Sequence, residues 1–399
     1  MSATATGVLS GIRIVDFTWV GAGPFLTKPL ADQGADVIKI ESSTRTDPIR
    51  SMSPFARGVR GVNRSGYFAN RNSSKRSITL DLKSDAGKQI ALDLIEDSDV
   101  VANNFTPHTL DRLGLGYRDA QARRADIIYL EMPMNGSTGP YSGHRGYGLT
   151  IAAAGGFLEL SGYPDRPPVG TGTNYPDHVP NPLHGAIAVL AALHHRDRTG
   201  EGQHIELAQL ASTANVIGPA LVAAELAEPE TRTGNKDPGV LWQDVVPTLG
   251  EDRWCAITIR DEVDLGTLAK ILDLPDTALS TTHGADTIAE LISAATRGRD
   301  NVDLASELCQ AGVAASPVHD ARDLLTDPQL THRRHWVTLE HPEMGPTVYD
   351  APPYRSAGTS AALRGPAPLL GADTWAVCRD VLGMSRDRFD ELHARGVFG

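Results

Sequence analysis

The chain has 399 residues, 41% of them hydrophobic and 22% charged, the composition of an ordinary globular protein with room for two or three domains and sizeable cores. Its formal charge of −12 argues against nucleic acid or an anionic membrane surface as the main partner, yet leaves room for a local basic pocket that takes a small anion. The three cysteines, Cys255, Cys309 and Cys378, form no paired motif, "MSATATGVLSG" lacks the features of a secretion signal, and no apolar run approaches the ~20 residues that span a bilayer, so a cytoplasmic setting is expected.

The first third alternates strand and helix signals. "IRIVDFT" (12–18) is a short apolar run that predicts a buried strand. "PFLTKPLADQGA" (24–35) opens on a proline, which suits a first helical turn, and closes near Gly34. "DVIKIE" (36–41), "RSITLDL" (76–82), "DVVANNF" (99–105) and "DIIYLEM" (126–132) continue the strands, with a helix over 84–98. Strands separated by helices imply right-handed crossovers and a parallel sheet covered on both faces, an α/β fold. Residues 142–182 are rich in Gly, Pro and Tyr and read as a long ordered loop around one helix near 149–160, a length that usually serves function. Helices are expected over 183–196 and 205–227, a linker over 233–252, a strand at 253–259, helices to about 312, a strand and turn over 312–320, then short strands and a closing helix in "ADTWAVCRDVLGMS".

Two stretches carry chemistry. "WVGAGPF" (19–25) follows the first strand and opens a helix, where a dinucleotide fold cradles phosphate on backbone N–H groups. The full fingerprint needs a third glycine where Leu26 stands, and Glu41 alone matches the distant acid, so a nicotinamide oxidoreductase is the weaker reading. Tight strand-to-helix packing, or approach to another phosphate-bearing or thioester ligand, also explains Gly21 and Gly23. The second stretch, "TGTNYPDHVPNP" (171–182), sets Asp177 between Pro176 and Pro180 at the mouth of an almost uncharged helix. A solvated surface acid needs no such stiffness, whereas a reacting carboxylate does. The 13 histidines show no metal-binding spacing, and packing or orientation accounts for His178 and His184 better than a general base does.

The order of "VDFTWVGAGPFLTKPLADQGADVIKIE", "SSKRSITLDLKSDAGKQIALDLIEDSDVVANNF", "GSTGPY", "AVLAALHHRDRTGEGQHIEL" and "AGVAASPVHDARDLLTDPQL" resembles the class III (CaiB/BaiF-type) coenzyme A transferases over nearly the whole chain. The resemblance implies a Rossmann-type large domain built from both chain ends, residues 1–227 and 326–399, and a smaller α/β domain over 228–325. It also implies two subunits threaded through each other as an interlocked homodimer. Asp177 is then the nucleophile that takes an acyl group and then CoA, moving CoA from an acyl-CoA donor to a carboxylic acid acceptor. No cofactor is implied beyond CoA as co-substrate, and no metal. Val20, Gly21, Ala22, Lys39, Lys75, Arg76, Asn104, Phe105 and Arg112 are the implied CoA contacts. Backbone N–H groups of residues 21–23 or of "NGSTG" (135–139) are candidate donors to the oxyanion.

The chain also departs from its relatives. In "RGYGL", Tyr147 stands where the related α-methylacyl-CoA racemases carry a proton-moving His, and Gly148 stands where an acid follows it, which favours transfer over racemisation. Gly21 replaces a Gln of the formyl-CoA enzymes, and the proline-rich Asp177 loop suits an acid bulkier than formate or oxalate. Trp19, Tyr147, Tyr175, His178 and Trp242 are candidate pocket walls, with core packing the competing explanation. A catalytically silent CoA-binding protein is the remaining alternative of another class.

Overall fold

Strands Arg13–Asp16 (β1), Asp36–Glu41 (β2), Arg76–Thr79 (β3), Val100–Asn103 (β4), Ile128–Glu131 (β5) and Gln203–Glu206 (β6) form one six-stranded sheet in the order β3-β2-β1-β4-β5-β6. Every pairing in it is parallel, with Ile14 beside Val37 and Val100, and Ile128 beside Gln203. This is the doubly wound order that reverses direction between β1 and β4. The structure, a computed structural model, describes residues 7–226, 232–275, 279, 285–356 and 362–399.

The period of two decides which face each strand residue covers. Val15, Ile38, Ile78, Val101 and Tyr129 point to one face. There they meet Ile90 and Leu94 of helix Asp85–Glu96 and Val377, Phe389, Leu392 and Phe398 near the chain's end. Ile14, Val37, Val100, Ile128 and Leu130 point to the other face. They meet Leu26 and Leu30 of helix Ala22–Asp32 and Val189 and Leu193 of helix Pro180–Thr199. The carboxyl-terminal segment is tied down by hydrogen bonds as well. The Thr79 hydroxyl donates to Phe398 O (2.6 Å), and the Ser77 N–H donates to Asp373 Oδ2 (2.8 Å).

Packing divides the chain into two units: Met1–Phe157, Thr171–Leu226 and Thr331–Gly399 in one, Leu158–Gly170 and Ala227–Leu330 in the other. Leu158–Gly170, expected with the first, therefore belongs to the second. The second unit holds an antiparallel sheet of Trp242–Pro247, Trp254–Ile259 and Ala314–Pro317, covered by helices Glu262–Ile271, Ala285–Thr296 and Asn301–Gln310. Asp261 and Asp300 cap two of these helices, each accepting two backbone N–H bonds.

Two expectations fail here. Residues 203–206 form the edge strand β6, not the start of a helix, because "QHIE" is polar and half exposed and carries no apolar run. Strand Trp242–Pro247 lies within the stretch read as a linker. None of the described helices is long and apolar enough to cross a membrane.

Candidate active site

In a doubly wound sheet the ligand crevice opens at the carboxyl ends of the strands, where the order reverses. Here that position holds the segment leaving β1, and side chains from neighbouring elements grip its backbone at successive residues. Lys39 Nζ donates to Thr18 O (2.6 Å). The Asn104 amide makes a two-way clamp on Trp19, accepting its N–H and donating to its carbonyl, both at 2.8 Å. Asp47 Oδ1 accepts the Val20 N–H (3.0 Å), and Asp47 is itself ion-paired with Lys39 at 3.0 Å. Gly21 follows and caps helix Ala22–Asp32.

Asp177 comes to this place from the far side. Tyr175–His178 forms a single helical turn with Pro176 in its first positions, and the Asp177 N–H donates to Asn174 O (2.9 Å). The long helix Pro180–Thr199 starts immediately afterwards, three residues earlier than the sequence suggests, again on a proline at a first-turn position. Asp177 is only 5% exposed. Two glycine backbones shoulder it. A Cβ on Gly21 would lie 2.9 Å from the Asp177 Cβ, and one on Gly148 would lie 2.6 Å from Oδ2. The absence of an acid at position 148 thus has a steric cause: only glycine lets the main chain approach so closely. Burial pushes the Asp177 carboxyl up to about 6, while the Gly148 N–H and the Arg71 charge pull it back. Replacing Gly148 with alanine is expected to displace the carboxylate and cut kcat by about 10²-fold with a smaller change in KM, as a near-ångström misplacement of a reacting group does; steady-state kinetics of the purified variant checks it.

Asp177 lines a cavity of about 850 Å³ together with Trp19, Val20, Gly21, Ala22, Asn104, Phe105, Arg112 and Tyr147. Trp19 and Phe105 meet edge to face, with ring centres 5.2 Å apart, and Arg45 lies over the Trp19 ring at 5.5 Å. Arg45, Lys83 and Arg145 also line the cavity, and sequence reasoning missed all three. Arg45 and Lys83 lie just beyond the carboxyl ends of β2 and β3, so the strand-end rule, applied one turn later, would have found them.

Lys39, Lys75 and Arg76 are corrected as ligand contacts. Lys39 is fully buried and committed to Thr18 and Asp47. Lys75 is buried beneath helix Ala22–Asp32, bonded to Asp16 (3.1 Å), Pro24 O and Asn72 (both 2.9 Å), and burial pushes its ammonium down to about 8. Arg76 begins β3, at the amino end of the sheet, and pairs with Asp36, which begins β2. Neither Tyr175 nor His178 is among the residues lining the cavity. Tyr175 packs against Phe157, ring centres 5.4 Å apart. His178 braces the turn: Nδ1 lies 2.9 Å from the Thr173 hydroxyl and Nε2 3.3 Å from Tyr67 OH. Burial, with the Arg71 charge, pushes its pKa down to about 4, so its ring is neutral at pH 7. Trp242 is buried in the core of the second unit. Residues 135–139 do not line the cavity, and the Ser137 N–H is committed to Glu206 (3.0 Å).

The arrangement suits a ligand with an anionic, aromatic-bearing tail whose electrophilic end meets a buried carboxylate. Residues 9–374 match CoA-transferase family III. Over 401 residues the chain is 29% identical to the succinyl-CoA–D-citramalate CoA-transferase of Chloroflexus aurantiacus, covering 98% of each. It is 31% identical over 376 residues to the succinyl-CoA:mesaconate CoA-transferase of Haloarcula hispanica, covering 91% of this chain and 94% of that one. A probable CoA-transferase of Mycobacterium tuberculosis is 33% identical over 98% of this chain, which spans only 50% of that longer relative. The solved structure of a CaiB/BaiF family protein from Brucella suis superposes with a TM-score of 0.86 at 28% identity, covering 94% of this chain and 100% of that one. The chain belongs to CoA-transferase family III. It is accordingly an enzyme that transfers coenzyme A.

Proposed function

We propose that this enzyme moves CoA between carboxylic acids with Asp177 as a covalent carrier. The observation that supports this most is the buried Asp177 carboxylate, shouldered by two glycine backbones at the wall of a cavity whose rim carries Arg45, Lys83, Arg112 and Arg145. An Asp177 oxygen attacks the donor thioester carbon, the C–S bond breaks, and CoA thiolate leaves an acyl-aspartyl anhydride. The thiolate then attacks Asp177 Cγ, and the donor acid departs as its carboxylate. The resulting aspartyl-CoA thioester is attacked at Cγ by the acceptor carboxylate, which releases thiolate and forms a second anhydride. Attack of the thiolate on the acceptor's acyl carbon regenerates Asp177. No proton is gained or lost over the cycle, so no general base is needed, in keeping with a neutral, hydrogen-bonded His178. The Gly21 segment, which abuts Asp177, is the better placed of the two candidate oxyanion donors.

The acids are dicarboxylic in this reading. Two of the relatives named above, those of Chloroflexus aurantiacus and Haloarcula hispanica, are named for succinyl-CoA and a second acid, and the charge of Arg71 reaches Asp177. Its guanidinium lies 4.2 Å over the Phe25 ring, and its buried Nε has no hydrogen-bond partner among the described residues. The Asp177 and Asp350 charges act on this half-buried guanidinium, and its unused Nε N–H suits an anionic substrate group. The interlocked homodimer is likewise proposed: Leu183, Ile187 and Leu190 form an exposed apolar stripe along one face of helix Pro180–Thr199. Tyr147 at the position of a proton-moving His argues against racemisation.

The test is a matrix of CoA thioesters and free acids, with exchange followed by mass spectrometry. Succinyl-CoA with a second dicarboxylic acid is expected to exchange fastest. Deuterium entering the α-carbon without acyl exchange would favour racemisation instead. Only the ionised carboxylate attacks, so with Asp177 pushed up to about 6 the rate is expected to fall tenfold per pH unit below that value and to level off above it. A flat profile down to pH 4.5 would contradict an essential carboxylate in this setting.

A further inference from the structure

The segment leaving β1 contains a conformation that needs an explanation. Val20 has φ +67°, in the left-handed region, where a β-branched side chain is a genuine outlier. Such strain persists only where the surroundings over-determine it, and it clusters at functional sites. Here the surroundings are explicit. The Val20 N–H is held by Asp47 Oδ1 at 3.0 Å, and the Val20 side chain packs on a cluster containing Ile49, Phe68 and Tyr349. Asp47 is fully buried, and so is Lys39, its ion-pair partner at 3.0 Å. Asp47 is fixed from its other side too: its own N–H donates to Glu41 (3.0 Å), which is locked by Arg50. Of these charged groups Lys39, Asp47 and Arg50 do not line the cavity, and Glu41, which does, is held by Arg50. They converge on one peptide unit, and the residue after it, Gly21, is the one pressed against the Asp177 side chain.

We propose that Asp47, backed by Lys39, is a positioning residue for Asp177: by accepting the Val20 N–H it holds Val20 left-handed and so keeps the Gly21 backbone against the reacting carboxylate. The proposal rests on the reading of Asp177 as nucleophile. A relaxed Val20 would swing Gly21 away, admit water to Asp177 and move any donors aimed at the oxyanion. A buried ion pair that merely stabilised the fold would do none of this selectively.

The test uses the full-length enzyme. Asp47→Ala is expected to lower kcat by about 10²-fold while KM for acyl-CoA changes by less than about threefold, the pattern of a misplaced reacting group. The acid limb of the kcat–pH profile, near 6 in the unaltered enzyme, should move toward the ordinary carboxylate value of 3.8 as water reaches Asp177. Asp47→Asn, which keeps an oxygen acceptor, should recover most of kcat and the original limb, and it carries the test if the alanine variant does not fold. Glycine adopts positive φ freely, so the kcat ratio between Val20→Gly and Val20→Gly/Asp47→Ala should be several-fold smaller than that between wild type and Asp47→Ala. The proposal is overturned by an unmoved acid limb, by the same ratio in both backgrounds, or by an asparagine variant as impaired as the alanine one. Failure of the Asp177 reading shows separately, as an Asp177→Ala enzyme with wild-type turnover.

Discussion

Asp177→Ala is expected to lower kcat for CoA transfer by three or more orders of magnitude, a loss of about 4 kcal/mol or more in transition-state stabilisation at about 1.36 kcal/mol per tenfold. Two other carboxylates line the cavity, Glu41 and Asp81, and the structure separates them from this role. Glu41 is locked by Arg50, with Nε–Oε1 and NH2–Oε2 distances of 2.8 and 2.7 Å, so its oxygens are not available for attack. Asp81 accepts the Lys83 N–H (3.1 Å) in the turn after β3, and Gly87 packs on its main-chain carbonyl, not on its carboxylate. Asp81→Ala is therefore expected to retain kcat within about tenfold, a surface-turn change far smaller than loss of a nucleophile. Binding of CoA to Asp177→Ala, followed by calorimetry, should survive, because the cations lining the cavity, Arg45, Lys83, Arg112 and Arg145, are untouched by the substitution. A common loss of binding and turnover would mean that the substitution disturbs the cavity as a whole.

The same carboxylate is expected to weaken the fold at neutral pH, so Asp177→Asn should be more stable than wild type there. The sign follows from proton binding. Burial raises the native-state pKa of Asp177 from 3.8 to about 6, so the folded chain holds the proton more tightly than the unfolded one. Stability is therefore greatest below the unfolded value and falls as pH rises through the folded one. The difference from 3.8 to about 6, at 1.36 kcal/mol per unit, is about 3 kcal/mol at pH 7. The amide is neutral at every pH, so its gain should appear at pH 7 as a melting temperature higher by a few degrees and shrink to about zero near pH 4. Denaturation of both proteins at the two pH values decides it. An equal gain at both would assign the effect to packing rather than charge. Stability gained by removing a reacting group is the usual trade between fold and function.

The central sheet was readable because its strands are buried on both faces. "RIVD", "DVIKIE" and "VVAN" are short runs whose residues are almost all buried, the pattern of strands covered on both faces. Strand β6 was not readable, since an edge strand with the pattern "QHIE" has too little apolar content to announce itself. Asp177 was legible from its prolines and from the resemblance together. Its immediate surroundings were not. Gly148 looked like a lost acid, whereas its lack of a side chain is what admits the Asp177 carboxylate.

The errors over Lys39 and Lys75 have one cause. A lysine near a strand end reads as a phosphate contact until its partner is known, and the partners here, Asp47 and Asp16, lie 8 and 59 residues away along the chain. Ion pairing across elements is a property of the folded arrangement, with no local signal. Arg45, Lys83 and Arg145 escaped for the converse reason: they sit in loops, where a charged residue is ordinarily just solvated.

The most direct test of the covalent carrier is a single-turnover trap. The enzyme is incubated with succinyl-CoA in the absence of acceptor, quenched with hydroxylamine, digested, and the peptide spanning residues 171–182 is sequenced by mass spectrometry. A hydroxamate on Asp177, absent without thioester and absent from Asp177→Asn, is the predicted result. An enzyme that turns over while that peptide stays unmodified, or that carries the label on another carboxylate, would contradict the account.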